Sequence, residues 1–158
     1  MPGGCPDPYC SLVPASDLRI AFGADDSNEC VETVRALLAA RGELVPIDCD
    51  VAWPSLARTV GEFVARGDAD IGVLMCWTGT GTAIAANKVR GVRAAQAADA
   101  WTARGARLWN DANVLTLSLK RLAPAVAIEC VEAFLDTTAP DPDEASAIAL
   151  LRSIDDDR

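Results

Sequence analysis

"DIGVLMCWTGTGTAIAANK", residues 70 to 88, runs from an unbroken apolar segment into a glycine-threonine loop and then a small-residue stretch ending in Asn87 and Lys88. An apolar run over 70–76 with no polar alternation predicts a strand buried on both faces, as in a parallel sheet covered by helices on each side. The small residues after the loop predict a helix through Lys88. The stretch therefore reads as one strand–loop–helix unit, and the rest of the chain repeats that unit.

Towards the N-terminus, LRIAFG (18–23) is a short buried strand closed by glycine. Asp26 and Ser27 are expected to cap the following helix, with Glu29 completing a capping box. Cys30, Val34, Leu37 and Leu38 recur at helical spacing up to Gly42, a helix stop. ELVPID (43–48) predicts a second strand, placed by Pro46 at a sheet edge or a strand end. Pro54 opens a helix marked by Leu56, Val60, Phe63 and Val64, which stops near Gly67. Towards the C-terminus, GVRAAQ (91–96) and NVLTLSL (113–119) predict two more strands. Helices are expected over 99–108, 124–136 and 143–154.

Five alternations of strand and helix predict a Rossmann-like three-layer αβα sandwich around a five-stranded parallel sheet. Residues 1–17, with four prolines, read as an irregular extension. Residues 18–138 make the α/β domain, and 139–158 a C-terminal helix and tail expected to pack on a partner subunit. In such folds ligands gather at the carboxyl ends of the strands, here Asp25, Asp26, the 49–53 segment, Cys76 to Gly81, and Asp99.

Composition narrows the chemistry. The 158 residues carry 23 acidic and 14 basic side chains, a net charge of −9, which speaks against nucleic acid or an anionic membrane as partner. No apolar run reaches the length of a membrane span, and no basic-then-apolar leader is evident at the N-terminus. With six cysteines and no secretion signal, reduced thiols in a cytoplasmic protein are expected. Cys5 and Cys10 form a C-x4-C pair without a second pair at metal-ligand spacing, so two thiols in a tail outweigh a zinc site. The chain has no histidine. That removes the commonest general base and the commonest transition-metal ligand, leaving Cys, Asp, Glu, Lys or backbone for acid–base work.

The 76–88 segment is neither a P-loop nor a G-x-G-x-x-G dinucleotide turn. An isolated Gly-Thr-Gly after a strand is as often a plain tight turn. The thiol changes the balance. Cys76 stands at the strand end just before a helix start, where dipole and free amides favour a thiolate. The amides of Gly79, Thr80 and Gly81 are placed to stabilise an oxyanion.

Three segments carry a family resemblance over residues 18–136. "IAFGADD" (20–26) resembles a first strand and its G-x-D-H turn. "DIGVLMCWTGTGTAIAANKVRGVRAA" (70–95) resembles C-G-T-G-x-G-x-x-I-A-A-N-K-x-x-G-I-R-A. "WNDANVL" (109–115) resembles H-N-D-x-N-V-L. These are the marks of the ribose-5-phosphate isomerase B family and the related galactose-6-phosphate isomerase subunits.

The resemblance implies an aldose–ketose isomerase without metal or cofactor, passing through an enediolate. It implies Cys76 as proton-transfer base, Thr78 as a ring-opening helper, and Gly79, Thr80 and Gly81 as the anion-stabilising loop. Asp25 matches the carboxylate that binds sugar hydroxyls. Asn110 matches an amide that the family supplies from a partner subunit. The site would then lie between chains of a homodimer or a dimer of dimers, around a small sugar-like hydroxycarbonyl. Asn87 and Lys88 also match, with a structural role at the helix end equally open.

The departures sit at substrate positions. Trp77 stands for the glycine after the cysteine, Asp26 for the histidine of G-x-D-H, Trp109 for that of H-N-D, and Trp53 for a tyrosine. Lys120, beside Arg121, stands for an arginine. The C-terminal phosphate-binding arginines are missing, with Arg152 the sole cation in "APDPDEASAIALLR" (139–152). A phosphate facing Asp26 would be repelled, and three tryptophans suit an altered substrate. Two other readings stay open: an enzyme repurposed for enolisation, dehydration or cyclisation of a non-phosphorylated substrate, and a non-catalytic subunit of a heteromeric isomerase.

Overall fold

A computed structural model describes residues 17–155; the proline-rich stretch with Cys5 and Cys10 lies outside the described residues. Five strands, β1 (Arg19–Ala24), β2 (Glu43–Val45), β3 (Ile71–Cys76), β4 (Ala94–Gln96) and β5 (Val114–Ser118), form one all-parallel sheet in the order β2-β1-β3-β5-β4. The helices are α1 (Glu29–Arg41), α2 (Trp53–Arg66), α3 (Thr80–Ala86), α4 (Ala100–Asn110), α5 (Pro124–Asp136) and α6 (Ala145–Ser153). The expected three-layer αβα sandwich is the observed one.

The strands show why both faces are covered. Every residue of β3 is buried. Along β1, Ile20 and Phe22 join Val34, Leu38, Val131 and Phe134 on the side of α1, α4 and α5. Ala21 points the other way, to Leu56, Val60 and Val64 beneath α2 and α3. Period-two alternation thus feeds two apolar cores, and burial of this apolar surface is the main force holding the sandwich.

Boundaries differ from the expectations where local chemistry ends an element early. β2 stops at Val45, immediately before Pro46, and stands at the sheet edge, because proline has no N–H for the ladder. β4 is confined to 94–96, since Gly91 at φ +84 holds the preceding segment in a turn. α3 ends at Ala86 rather than Lys88. The α1 cap is Asn28, whose side chain accepts from Val31 N–H, and not Asp26 or Ser27. Asp26 instead accepts from its neighbour's amide and turns towards Trp77. No described helix is long and apolar enough to cross a membrane.

The chain leaves β1 to one side of the sheet and returns for β3 on the other. The crevice between the carboxyl ends of β1 and β3 is therefore a topological switch point. Asp25, just past β1, donates its N–H to Met75 O (3.1 Å), which pins it beside Cys76.

Candidate active site

Cys76, the last residue of β3, is 5% exposed and sits inside a cage of donors. Gly79 N–H donates to its sulfur at 3.1 Å, and the Thr82 hydroxyl at 3.4 Å. Burial pushes the thiol's pKa up. The Thr82 hydroxyl and the amides of Thr82, Gly79 and Thr78 more than offset this, so the group titrates below an ordinary cysteine. Gly79 makes the cage possible. At φ +80 it is in the left-handed region, and a Cβ there would meet Leu117 C at 3.0 Å. Since α3 has only seven residues, the amides and Thr82, not a long helix dipole, carry the stabilisation.

The loop is clamped from outside. Ser118 Oγ donates to Trp77 O at 2.6 Å, and Gln96 Nε2 donates to Thr78 O at 2.7 Å. Leu119 N–H donates to Cys76 O at 3.0 Å, and the Thr78 and Thr80 hydroxyls pair at 2.7 Å. Sequence reasoning missed Thr82, Ser118 and Gln96. Thr82, the last residue of "GTGT" (79–82), is the one of the three with a local signal; Ser118 and Gln96 reach the loop through strand register.

A cavity of about 350 Å³ opens above the thiol, lined by Asp25, Trp53, Cys76, Trp77, Thr78, Thr80 and Gly81. The structure thus brings seven of the expected site residues together. The Gly79 amide is spent on the sulfur, which leaves the Thr80 and Gly81 segment facing the cavity. Asp25 Oδ1 is buried with no hydrogen-bond partner in the protein. Burial, and then the charge of Asp26, push the Asp25 carboxyl above its usual range. Such an orphaned acceptor fits a ligand hydroxyl.

Trp53 opens α2 and lays its ring over Gly81, where an added Cβ would stand 3.2 Å from the ring. Trp77, 60% exposed, forms the opposite rim. Its indole N–H donates to Asp26 Oδ2 (3.2 Å), while Lys120 Nζ lies 3.4 Å from the same oxygen and 4.8 Å from the Trp77 ring centre. The Ser27 amide first, then Trp77 and Lys120, hold the Asp26 carboxyl below its usual range.

Asn110 and Trp109 stand elsewhere. They end α4, which runs back to the amino end of the sheet. Asn110 lines a separate cavity of about 310 Å³ with Arg93, Leu151 and Ile154. Trp109 folds over Gly105 and meets Trp101 edge-on, ring centres 5.2 Å apart. Asn87 pairs both ways with the Ala94 backbone at 2.8 Å and so ties α3 to β4. Among the described residues no group of three or more His, Cys, Asp or Glu is arranged to hold a metal ion.

The all-parallel αβα sandwich is shared with solved ribose-5-phosphate isomerases. Over residues 20–150 the chain matches the family described as Ribose/Galactose Isomerase, and it belongs to that family. D-erythrulose-4-phosphate isomerase 2 of Mycolicibacterium smegmatis is 40% identical over 139 residues, 82% of this chain and 91% of that one. Ribose-5-P isomerase B of Listeria innocua is 37% identical over 105 residues, 66% and 71% of the two chains. The solved ribose-5-phosphate isomerase B of Clostridium thermocellum superposes with a TM-score of 0.80 at 28% identity, covering 89% of this chain and 99% of that one. The protein is an isomerase-family enzyme.

Proposed function

We propose that the protein interconverts an aldose and a ketose by proton transfer through Cys76. The single observation that carries this reading is the thiol cage, whose donors favour the thiolate form of a sulfur at the floor of the cavity. The thiolate takes a proton from the carbon beside the substrate carbonyl. The electron pair of that bond becomes the enediolate double bond, and charge develops on the former carbonyl oxygen beside Thr80 and Gly81. The hydroxyl on the deprotonated carbon gives its proton to that oxygen and becomes the new carbonyl, while the thiol returns its proton to the former carbonyl carbon, so no atom is gained or lost. Asp25 accepts a hydroxyl hydrogen bond, and Thr78 assists ring opening.

The substrate differs from the family's sugar phosphates because Trp53 and Trp77 wall the cavity and no histidine is present. A second copy of the chain completes the site with Asn110 and Trp109, which the fold holds far from their own Cys76. The caged thiol favours this reading over a non-catalytic subunit.

The test is isomerisation of a panel of tetroses and pentoses in D2O, followed by NMR. Wild-type enzyme is expected to wash solvent deuterium into the C1 or C2 position of a turned-over sugar. Cys76→Ala should lose at least about a hundredfold in rate. Full activity in Cys76→Ala would overturn the mechanism.

A further inference from the structure

We propose that Asp26 is a built-in counter-anion for Lys120, so that the end of the substrate lodged at the Trp77 rim is an uncharged hydroxyl and not a phosphate. This rests on the isomerase reading above and names its substrate class.

Lys120 is the cation held against the cavity rim, and the protein already occupies it. Its ammonium lies 3.4 Å from Asp26 Oδ2 and 4.8 Å from the Trp77 ring centre. The same carboxylate oxygen accepts from the Trp77 indole, and the other accepts from Ser27 N–H at 2.8 Å. Both oxygens are thus bound and the carboxylate is fixed in place. An incoming phosphate would have to pull Lys120 away from Asp26 and then sit beside the carboxylate it had displaced.

The surroundings add to this repulsion. A second cavity of about 350 Å³ adjoins the first through Asp25 and is lined by Asp26, Glu32 and Asp50, with Arg35 as its cation. Arg35 lies 3.9 Å from Glu32 and over the Phe22 ring. Within one chain, carboxylates therefore outnumber cations around the rim, Asp25, Asp26, Glu32 and Asp50 against Lys120 and Arg35. Like charges within a few ångströms disfavour a second anion, most of all a dianion. A neutral polyol end meets no such penalty. It can donate to Asp26 and Asp25 and lay its C–H face on Trp77.

The experiment is calorimetric titration of inorganic phosphate into wild type, Asp26→Asn and Asp26→Asn/Lys120→Met, with Asp26→Ser as a second single variant. The Asp26→Asn change removes the charge and keeps one acceptor oxygen, for either the indole or the Ser27 amide. The single variants are expected to bind phosphate about tenfold more tightly than wild type, and the double variant to lose that gain. In parallel, wild type is offered erythrose against erythrose 4-phosphate and ribose against ribose 5-phosphate, and the free sugar of the pair it turns over should have the higher kcat/KM. Phosphate binding in wild type as tight as in Asp26→Asn would overturn the proposal, as would a preference for the phosphorylated sugar. Loss of all turnover counts against the isomerase reading, while the phosphate titration still decides this one.

Discussion

The Thr82 hydroxyl reaches from the first turn of α3 back to the sulfur of Cys76 at the end of β3, 3.4 Å away, and both residues are buried. Because that hydrogen bond favours the thiolate, Thr82→Val should move the Cys76 midpoint to higher pH. The rate of iodoacetamide alkylation at Cys76, followed against pH by mass spectrometry, reads this directly. Turnover should also fall about tenfold, the scale of one lost hydrogen bond to a charged group. An unmoved alkylation profile would show that the amides alone set the thiol.

Gly79 bends the loop so that its own N–H meets the sulfur. Gly79→Ala places a side chain in the left-handed region against the β5 backbone, at a cost of about 1–2 kcal/mol. Urea unfolding should show that loss. Unchanged stability would mean the loop relaxes into another turn.

Subunit mixing tests the shared site. Cys76→Ala and Asn110→Ala chains, each inactive alone, should regain about a quarter of wild-type activity when unfolded and refolded together, since half the dimers then hold one intact site. No recovery, despite demonstrated mixed dimers, would place Asn110 outside the site.

Asp111 anchors the C-terminal helix. Its carboxylate holds Arg93 at 2.9 Å and also pairs with Arg152 of α6, while Gly91 N–H donates to Asp155 at 2.9 Å. Asp111→Asn tolerates the φ of +49 but loses the charge. Hydrogen exchange should speed up over residues 145–153, with about 2 kcal/mol lost overall. Unaltered exchange there would assign α6 docking to the buried Ile148 and the Gly91–Asp155 bond.

The buried Cys130 thiol predicts an alkaline weakness. Burial first, then nearby Asp99, Glu129 and Cys30, push it up to about 11. The folded state then keeps its proton where the unfolded chain has lost it. Stability is intact below the ordinary thiol pKa of about 8.5 and falls as pH rises from there towards 11, by up to about 1.4 kcal/mol per pH unit. Denaturant midpoints at pH 8 and pH 10 should differ less in Cys130→Ala than in wild type. An equal pH dependence in both would assign the loss to other groups.

What the sequence alone determined was local. The apolar run 70–76, its glycine-threonine loop and the recurring strand–helix alternation fix the sandwich, because burial on both faces and turn chemistry are written within windows of about ten residues. The thiol and its loop were legible for the same reason. Other site features depend on residues distant in the chain. Asp26 read both as a helix cap and as a substrate position, and only the fold set Trp77 and Lys120 against it, 51 positions away in the first case. Ser118 and Gln96 clamp the loop through the register of β5 and β4 beside β3. Asn110 read as an amide supplied from a partner subunit and Trp109 as a substrate position, and it is the direction of α4 that sets both at the other end of the sheet from their own Cys76. Pairwise contacts of that kind are products of packing, and no single segment contains them.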